Sequence, residues 1–102
     1  MKRRTQLKPK PTLPSPRTTT FVLHDCEATK VFIAGSFTGW ALVPMDRLGQ
    51  EGRWEKRLVL GACRHEYRYV VDGEWIDDPE AVEFVPNPHG SRNCIIAVLG
   101  SI

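Results

Sequence analysis

At 102 residues, 41% hydrophobic and 25% charged with a net charge of +2, the chain has the size and balance of one small globular domain and leaves no room for a second. No apolar run approaches the roughly 20 residues of a membrane-spanning helix. The three cysteines, Cys26, Cys63 and Cys94, are odd in number and lack CxxC spacing, which argues against a closed disulfide framework and against a zinc site. Free thiols, buried or partly buried, are expected, and no cofactor or metal is implied.

The charge is unevenly spread. Residues 1–20 contain six basic side chains (Lys2, Arg3, Arg4, Lys8, Lys10, Arg17), four of the eight prolines and no acid, leaving 8 basic against 12 acidic residues for the rest. Such a segment has nothing to bury against its ordering entropy, so residues 1–17 are expected to form a disordered arm and residues 18–102 the folded domain. Lys8, Pro9, Lys10 and Pro11 stand where a signal peptide would have its apolar stretch, and a cytoplasmic protein without a membrane partner is expected. A basic arm can touch nucleic acid, but no basic-aromatic reader motif follows it, so nucleic acid is not the expected partner.

From residue 18 the chain turns β-rich. Residues 18–23 (TTTFVL) and 30–34 (KVFIA) are predicted strands, the second closed by Gly35. The stretch 35–40 (GSFTGW) is a tight loop; it lacks the GxGxxG spacing and following helix of a phosphate-binding turn. After a turn at 49–52, residues 53–60 (RWEKRLVL) put Trp54, Leu58 and Leu60 on one face of a strand. The central stretch is 65–75 (HEYRYVVDGEW). Tyr67, Tyr69 and Val71 alternate with Glu66, Arg68 and Val70, and Asp72-Gly73 predicts a type I′ hairpin turn. Residues 77–88 read as a long irregular connection, and 94–99 (CIIAVL) as the closing strand. About seven short strands without a helical period predict an all-β fold, an antiparallel β-sandwich that is immunoglobulin-like in the broad sense.

Catalytic signals are weak. Adjacent Asp77 and Asp78 on an extended chain would face opposite ways, and Asp before Pro is a common turn starter. His24, His65 and His89 match no metal or nucleophile spacing. What remains is a set of aromatics outside the core pattern: Trp40 at the end of a loop and Trp75 at the end of a hairpin, with Arg68, Ser91 and Asn93 as polar neighbours. Rings in such places serve either recognition or as a hydrophobic plug. Sugars fit the recognition reading, because pyranose C–H faces lie on indole rings while hydroxyls bond guanidinium, amide and hydroxyl groups.

The motifs VFIAGSFTGW (31–40), GRW (52–54), LVLGACRHEYRYVVDGEWIDDPE (58–80) and PNPHGSRN (86–93) resemble the glycogen-binding domain of the AMP-activated kinase β subunit, within carbohydrate-binding module family 48. The resemblance covers about residues 19–99. It implies an immunoglobulin-like sandwich that binds α-1,4-linked glucan, glycogen or starch-like, without catalysis. It places the sugar-stacking rings at Trp40 and Trp75, the basic residue that bonds sugar hydroxyls at Arg68, and the polar residues of the last loop at Ser91 and Asn93. His89 stands where the kinase-type module has a leucine that inserts into the curve of the glucan. Arg68 replaces the more frequent lysine, and Gly39 a frequent asparagine. The expected partners are an α-glucan polysaccharide and, tethered to it, a glycogen-metabolising enzyme or kinase-like protein. The alternative from the residues is a protein-interaction or structural domain that has the fold without the sugar binding.

Overall fold

A computed structural model describes residues 17–49 and 51–99. They form nine antiparallel strands: β1 (Arg17–His24), β2 (Val31–Gly35), β3 (Val43–Pro44), β4 (Asp46–Leu48), β5 (Arg53–Leu60), β6 (Arg64–Val71), β7 (Glu74–Ile76), β8 (Phe84–Pro86) and β9 (Arg92–Ala97). One sheet has the order β1-β5-β4. The other has the order β3-β2-β6-β9-β8, with β7 also paired to β6. The all-β class therefore holds, and the expected count of about seven rises to nine. The extra strands are two or three residues long, too short for a period of two to register. Pro44 and Pro86 sit in β3 and β8, the two edges of the larger sheet, where a residue without an N–H is tolerated. Residues 1–16 of the expected arm lie outside the described residues. Arg17, expected as its last member, instead opens β1 opposite Leu60.

Alternation along the strands builds the core. Phe21 and Leu23 from β1 and Trp54 and Leu60 from β5 join Val31 and Ile33 from β2 and Tyr67 and Tyr69 from β6 in one buried cluster. The sheets meet at Phe21 and Tyr67, whose rings pack edge to face at 5.1 Å. The Tyr69 hydroxyl, pushed well above its ordinary pKa chiefly by burial, reaches across to Val22 O at 3.4 Å. Burying each large apolar side chain contributes about 1.5–3 kcal/mol, so this shared layer is what holds the two sheets face to face.

The predicted hairpin turn is present. Asp72 and Gly73 take φ of 49° and 88°, the pair of positive values that a type I′ turn requires. Asp72 also does something its turn role does not announce: its carboxylate accepts from the N–H groups of Thr29 at 3.0 Å and Lys30 at 2.8 Å, tying the β6–β7 hairpin to the start of β2.

The cysteines depart from expectation. Cys94 is buried, but Cys26 and Cys63 are exposed, and all three are unpaired. The exposed pair sit in connections, Cys26 after β1 and Cys63 before β6, whereas Cys94 faces inward from β9. Burial raises the Cys94 thiol pKa, and only the thiolate reacts readily. A thiol reagent is therefore expected to modify two cysteines of the native protein and a third only in denaturant. Three rapid modifications would show that β9 opens readily, and a total of one would mean that a disulfide has formed.

Candidate functional site

One edge of β6 carries two partners in succession. β9 covers Arg64 to Tyr67, and β7 covers Tyr69 to Val71. Arg68 falls in the break between them. There the chain leaves β7 toward Asp77 and enters β9 from Ser91 and Arg92, so these residues collect around the Arg68 guanidinium. Its Nη1 donates to Ser91 Oγ at 3.2 Å, and its Nη2 lies 3.4 Å from both Trp75 O and Asp77 Oδ1. Asp77 in turn accepts from Arg92 Nε at 2.9 Å, and the Arg92 guanidinium lies 3.8 Å from the centre of the Phe84 ring. The Arg68 side chain is only 13% exposed, and its Nε is buried with no hydrogen-bond partner. A cation so enclosed is held in place by its neighbours, and it keeps more donors than nearby acceptors use.

The same face of β6 presents Glu66 two residues earlier and Val70 two residues later, as the period of two dictates. Trp75 is the cross-strand partner of Val70, which places its indole beside Arg68. Asn93 donates from Nδ2 to Glu66 Oε1 at 3.0 Å, and Asn87 donates to Asn93 Oδ1 at 3.0 Å. The Asn87 side-chain Oδ1 closes its own loop by accepting from His89 N at 2.9 Å and Ser91 N at 3.1 Å. This chain of amides fixes which way Asn93 faces.

Trp40 arrives from the other side. Gly35 packs so tightly that a Cβ there would lie 2.5 Å from Glu66 O and 2.6 Å from the Phe37 ring. The loop therefore starts directly against β6. A 3₁₀ turn over Ser36–Thr38 follows, then Gly39 at φ 62° and Trp40 at φ 65°. Trp40 N donates to Gly35 O at 2.9 Å, and Thr38 Oγ1 accepts from Gly35 N at 3.2 Å, so the loop is closed rather than slack before the tryptophan. A left-handed conformation is costly for a large side chain, and strain of this kind gathers at functional positions.

These elements enclose a cleft of about 700 Å³ lined by Trp40, Glu66, Arg68, Trp75, Asn87, Pro88, His89, Ser91 and Asn93. All six residues singled out in the sequence, Trp40, Arg68, Trp75, His89, Ser91 and Asn93, line it together. Trp40 and Trp75 are 38% and 44% exposed while Trp54 is 5% exposed, so the first two are not plugs in the core. Glu66, Asn87 and Asp77 escaped the sequence reading. Glu66 had a legible signal, since it shares the face of Arg68. The aspartate before Pro79, Asp78, does take the turn role expected of it: its Oδ1 accepts from Glu80 N at 2.9 Å, and its Oδ2 accepts from the Tyr67 hydroxyl at 2.6 Å. The neighbouring aspartates do face opposite ways, Asp77 to Arg68 and Arg92 and Asp78 to the buried Tyr67 hydroxyl. Among the described residues no three His, Cys, Asp or Glu side chains gather as metal ligands.

Comparison with known proteins follows the same lines. A family described as the glycogen recognition site of AMP-activated protein kinase matches residues 18–101. The chain is 33% identical over 69 residues to the β-1 subunit of 5′-AMP-activated protein kinase of Rattus norvegicus, an alignment covering 68% of this chain and 24% of the relative. It is 32% identical over 82 residues to phosphoglucan phosphatase DSP4, amyloplastic, of Castanea sativa, covering 79% of this chain and 21% of that protein. Protein FLOURY ENDOSPERM 6, chloroplastic, of Oryza sativa subsp. japonica is 31% identical over 61 residues, covering 60% and 12%. The chain thus aligns with about a quarter or less of the length of these three relatives. With the match extending from β1 past β9, the chain belongs to the family of AMP-activated protein kinase glycogen-recognition domains.

Proposed function

We propose that the chain is a non-catalytic module that binds α-1,4-linked glucan, glycogen or starch-like, in the cleft between Trp40 and Trp75. The carrying observation is the convergence of two exposed indoles on one enclosed guanidinium, with an amide network beside it. Stacked rings accept the apolar faces of successive glucose units, while Arg68, Ser91 and Asn93 supply the hydrogen bonds that a hydroxyl-rich ligand loses from water. His89 forms the rim where the glucan would curve. In the cell such a module would tether a glycogen-metabolising enzyme or a kinase-like partner to its polymer. We place it in the cytoplasm, where the exposed thiols of Cys26 and Cys63 would stay reduced.

Co-sedimentation with glycogen or insoluble starch tests the reading. The protein is expected in the pellet and is released by soluble maltooligosaccharide. Retention in the supernatant at polymer concentrations up to the millimolar range in glucose chains would sink it in favour of an interaction domain without sugar binding. Asp77→Ala probes the support of the site. Leaving Arg68 without its carboxylate is expected to cost about 1–3 kcal/mol of stability and to lower glucan retention. An unchanged urea midpoint together with unchanged retention would show that Asp77 holds nothing.

A further inference from the structure

The cleft carries charge of both signs, and their arrangement bears on which glucans enter it. Arg68 and Arg92 share a single carboxylate, Asp77, and the Arg92 guanidinium is in addition laid on Phe84. Their positive charge is thus partly answered before a ligand arrives. Glu66 is the carboxylate among the residues lining the cleft. Its Oε1 accepts from the neutral amide of Asn93, and among the described residues no cation is paired with it, so Oε2 is open to a ligand hydroxyl. Of the two charged side chains that line the cleft, Arg68 is answered by Asp77 from outside the lining, whereas Glu66 is in no ion pair among the described residues.

We propose that Glu66 is a specificity-determining residue that admits uncharged glucan and disfavours glucan bearing phosphate monoesters. The proposal rests on the glucan reading above and concerns the class of polymer taken by that same cleft. A sugar hydroxyl is both donor and acceptor, so it can accept from Arg68 and donate to Glu66. A phosphate monoester offers oxygens with little to donate, and near neutral pH it carries about −1.5 to −2 charges. Opposite Glu66 it meets a like charge in a partly enclosed site, where screening by water is reduced. Discrimination by an introduced repulsion needs no loss of contact to the preferred ligand. The point is not trivial for this chain, since a relative that aligns over 79% of it is a phosphoglucan phosphatase.

The test uses one polymer in two states: a phosphorylated amylopectin, and the same preparation after its phosphate has been removed with a phosphatase. At low ionic strength the intact protein is expected to bind the stripped polymer about tenfold more tightly, a difference of ~1.4 kcal/mol. That ratio should shrink at about 0.5 M salt, because a charge effect is screened and a steric one is not. Glu66→Gln keeps the size and the acceptor for Asn93 while removing the charge. Whatever it does to affinity for the stripped polymer, it should bring the ratio to within about twofold of one. A wild-type ratio near one, a ratio unmoved by salt, or a ratio unmoved by Glu66→Gln would each overturn the assignment. If the intact protein binds neither polymer, the glucan reading itself fails and this inference falls with it.

Discussion

Trp54→Ala is expected to remove a large share of the domain's stability, about 3–5 kcal/mol. Trp54 is 5% exposed and lies between Leu23 of β1 and Arg47 of β4 in the smaller sheet. Its Nε1 donates to Asp25 O at 3.1 Å, and the Arg47 guanidinium lies 5.7 Å from the ring centre. Truncation removes the ring, opens a cavity between the sheets and frees the turn after β1. Emptying a large aromatic site costs roughly 3–5 kcal/mol, against a total stability of about 5–15 kcal/mol for a domain of this kind. Trp54→Phe keeps most of the buried area and loses the indole hydrogen bond, so it should cost less than half as much. Urea unfolding of the three proteins measures both. A loss below about 1 kcal/mol for Trp54→Ala would mean that the smaller sheet does not depend on the core that Trp54 fills.

The strands that could be read directly were those long enough to show their period. In β5 and β6, eight residues each, alternation separates Trp54 and Leu60, or Tyr67 and Tyr69, from the outer face without any tertiary information. β3, β4 and β8 span two or three residues, and their pairing follows from what lies beside them rather than from their own composition. The same reason explains why residues 77–88 read as one irregular connection although Phe84–Pro86 pairs with β9. Burial of the cysteines was not legible because thiols pack well but are not compelled inward.

At the cleft, stacking and donor residues stood out because tryptophan and arginine are conspicuous outside a core pattern. The residues that set them in place did not. Asp77 depends on a break in pairing along β6 that only the sheet order reveals. Asn87 acts through its own loop backbone, and a short polar side chain in a proline-rich run reads as turn chemistry whatever else it does. Acceptors that orient donors carry no mark in a one-dimensional pattern except a shared face, which is what linked Glu66 to Arg68.

Trp40→Ala and Trp75→Ala are expected to fold with thermal midpoints close to the parent and to lose glucan retention. Both rings are more than a third exposed, so the transfer and cavity costs that make Trp54 indispensable are largely absent. Binding depends on them differently. A tryptophan that buries about 150–250 Å² can cover roughly 100 Å² against one sugar face, and at ~25 cal/mol per Å² this is at most ~2.5 kcal/mol. For a shallow site of micromolar to millimolar affinity, worth about 4–8 kcal/mol, a loss of that size is a fall of roughly 50-fold and takes retention to background. Trp40 allows a further separation of fold from function. Because it sits at φ 65°, Trp40→Gly relieves a left-handed conformation that an alanine retains, and should be at least as stable as Trp40→Ala, by up to ~1 kcal/mol. It should nevertheless bind no better. If either surface substitution unfolds the domain while Trp54→Ala does not, the roles of the tryptophans are reversed. If all variants fold and pull down with glycogen as the parent does, the cleft between Trp40 and Trp75 is not where glucan binds.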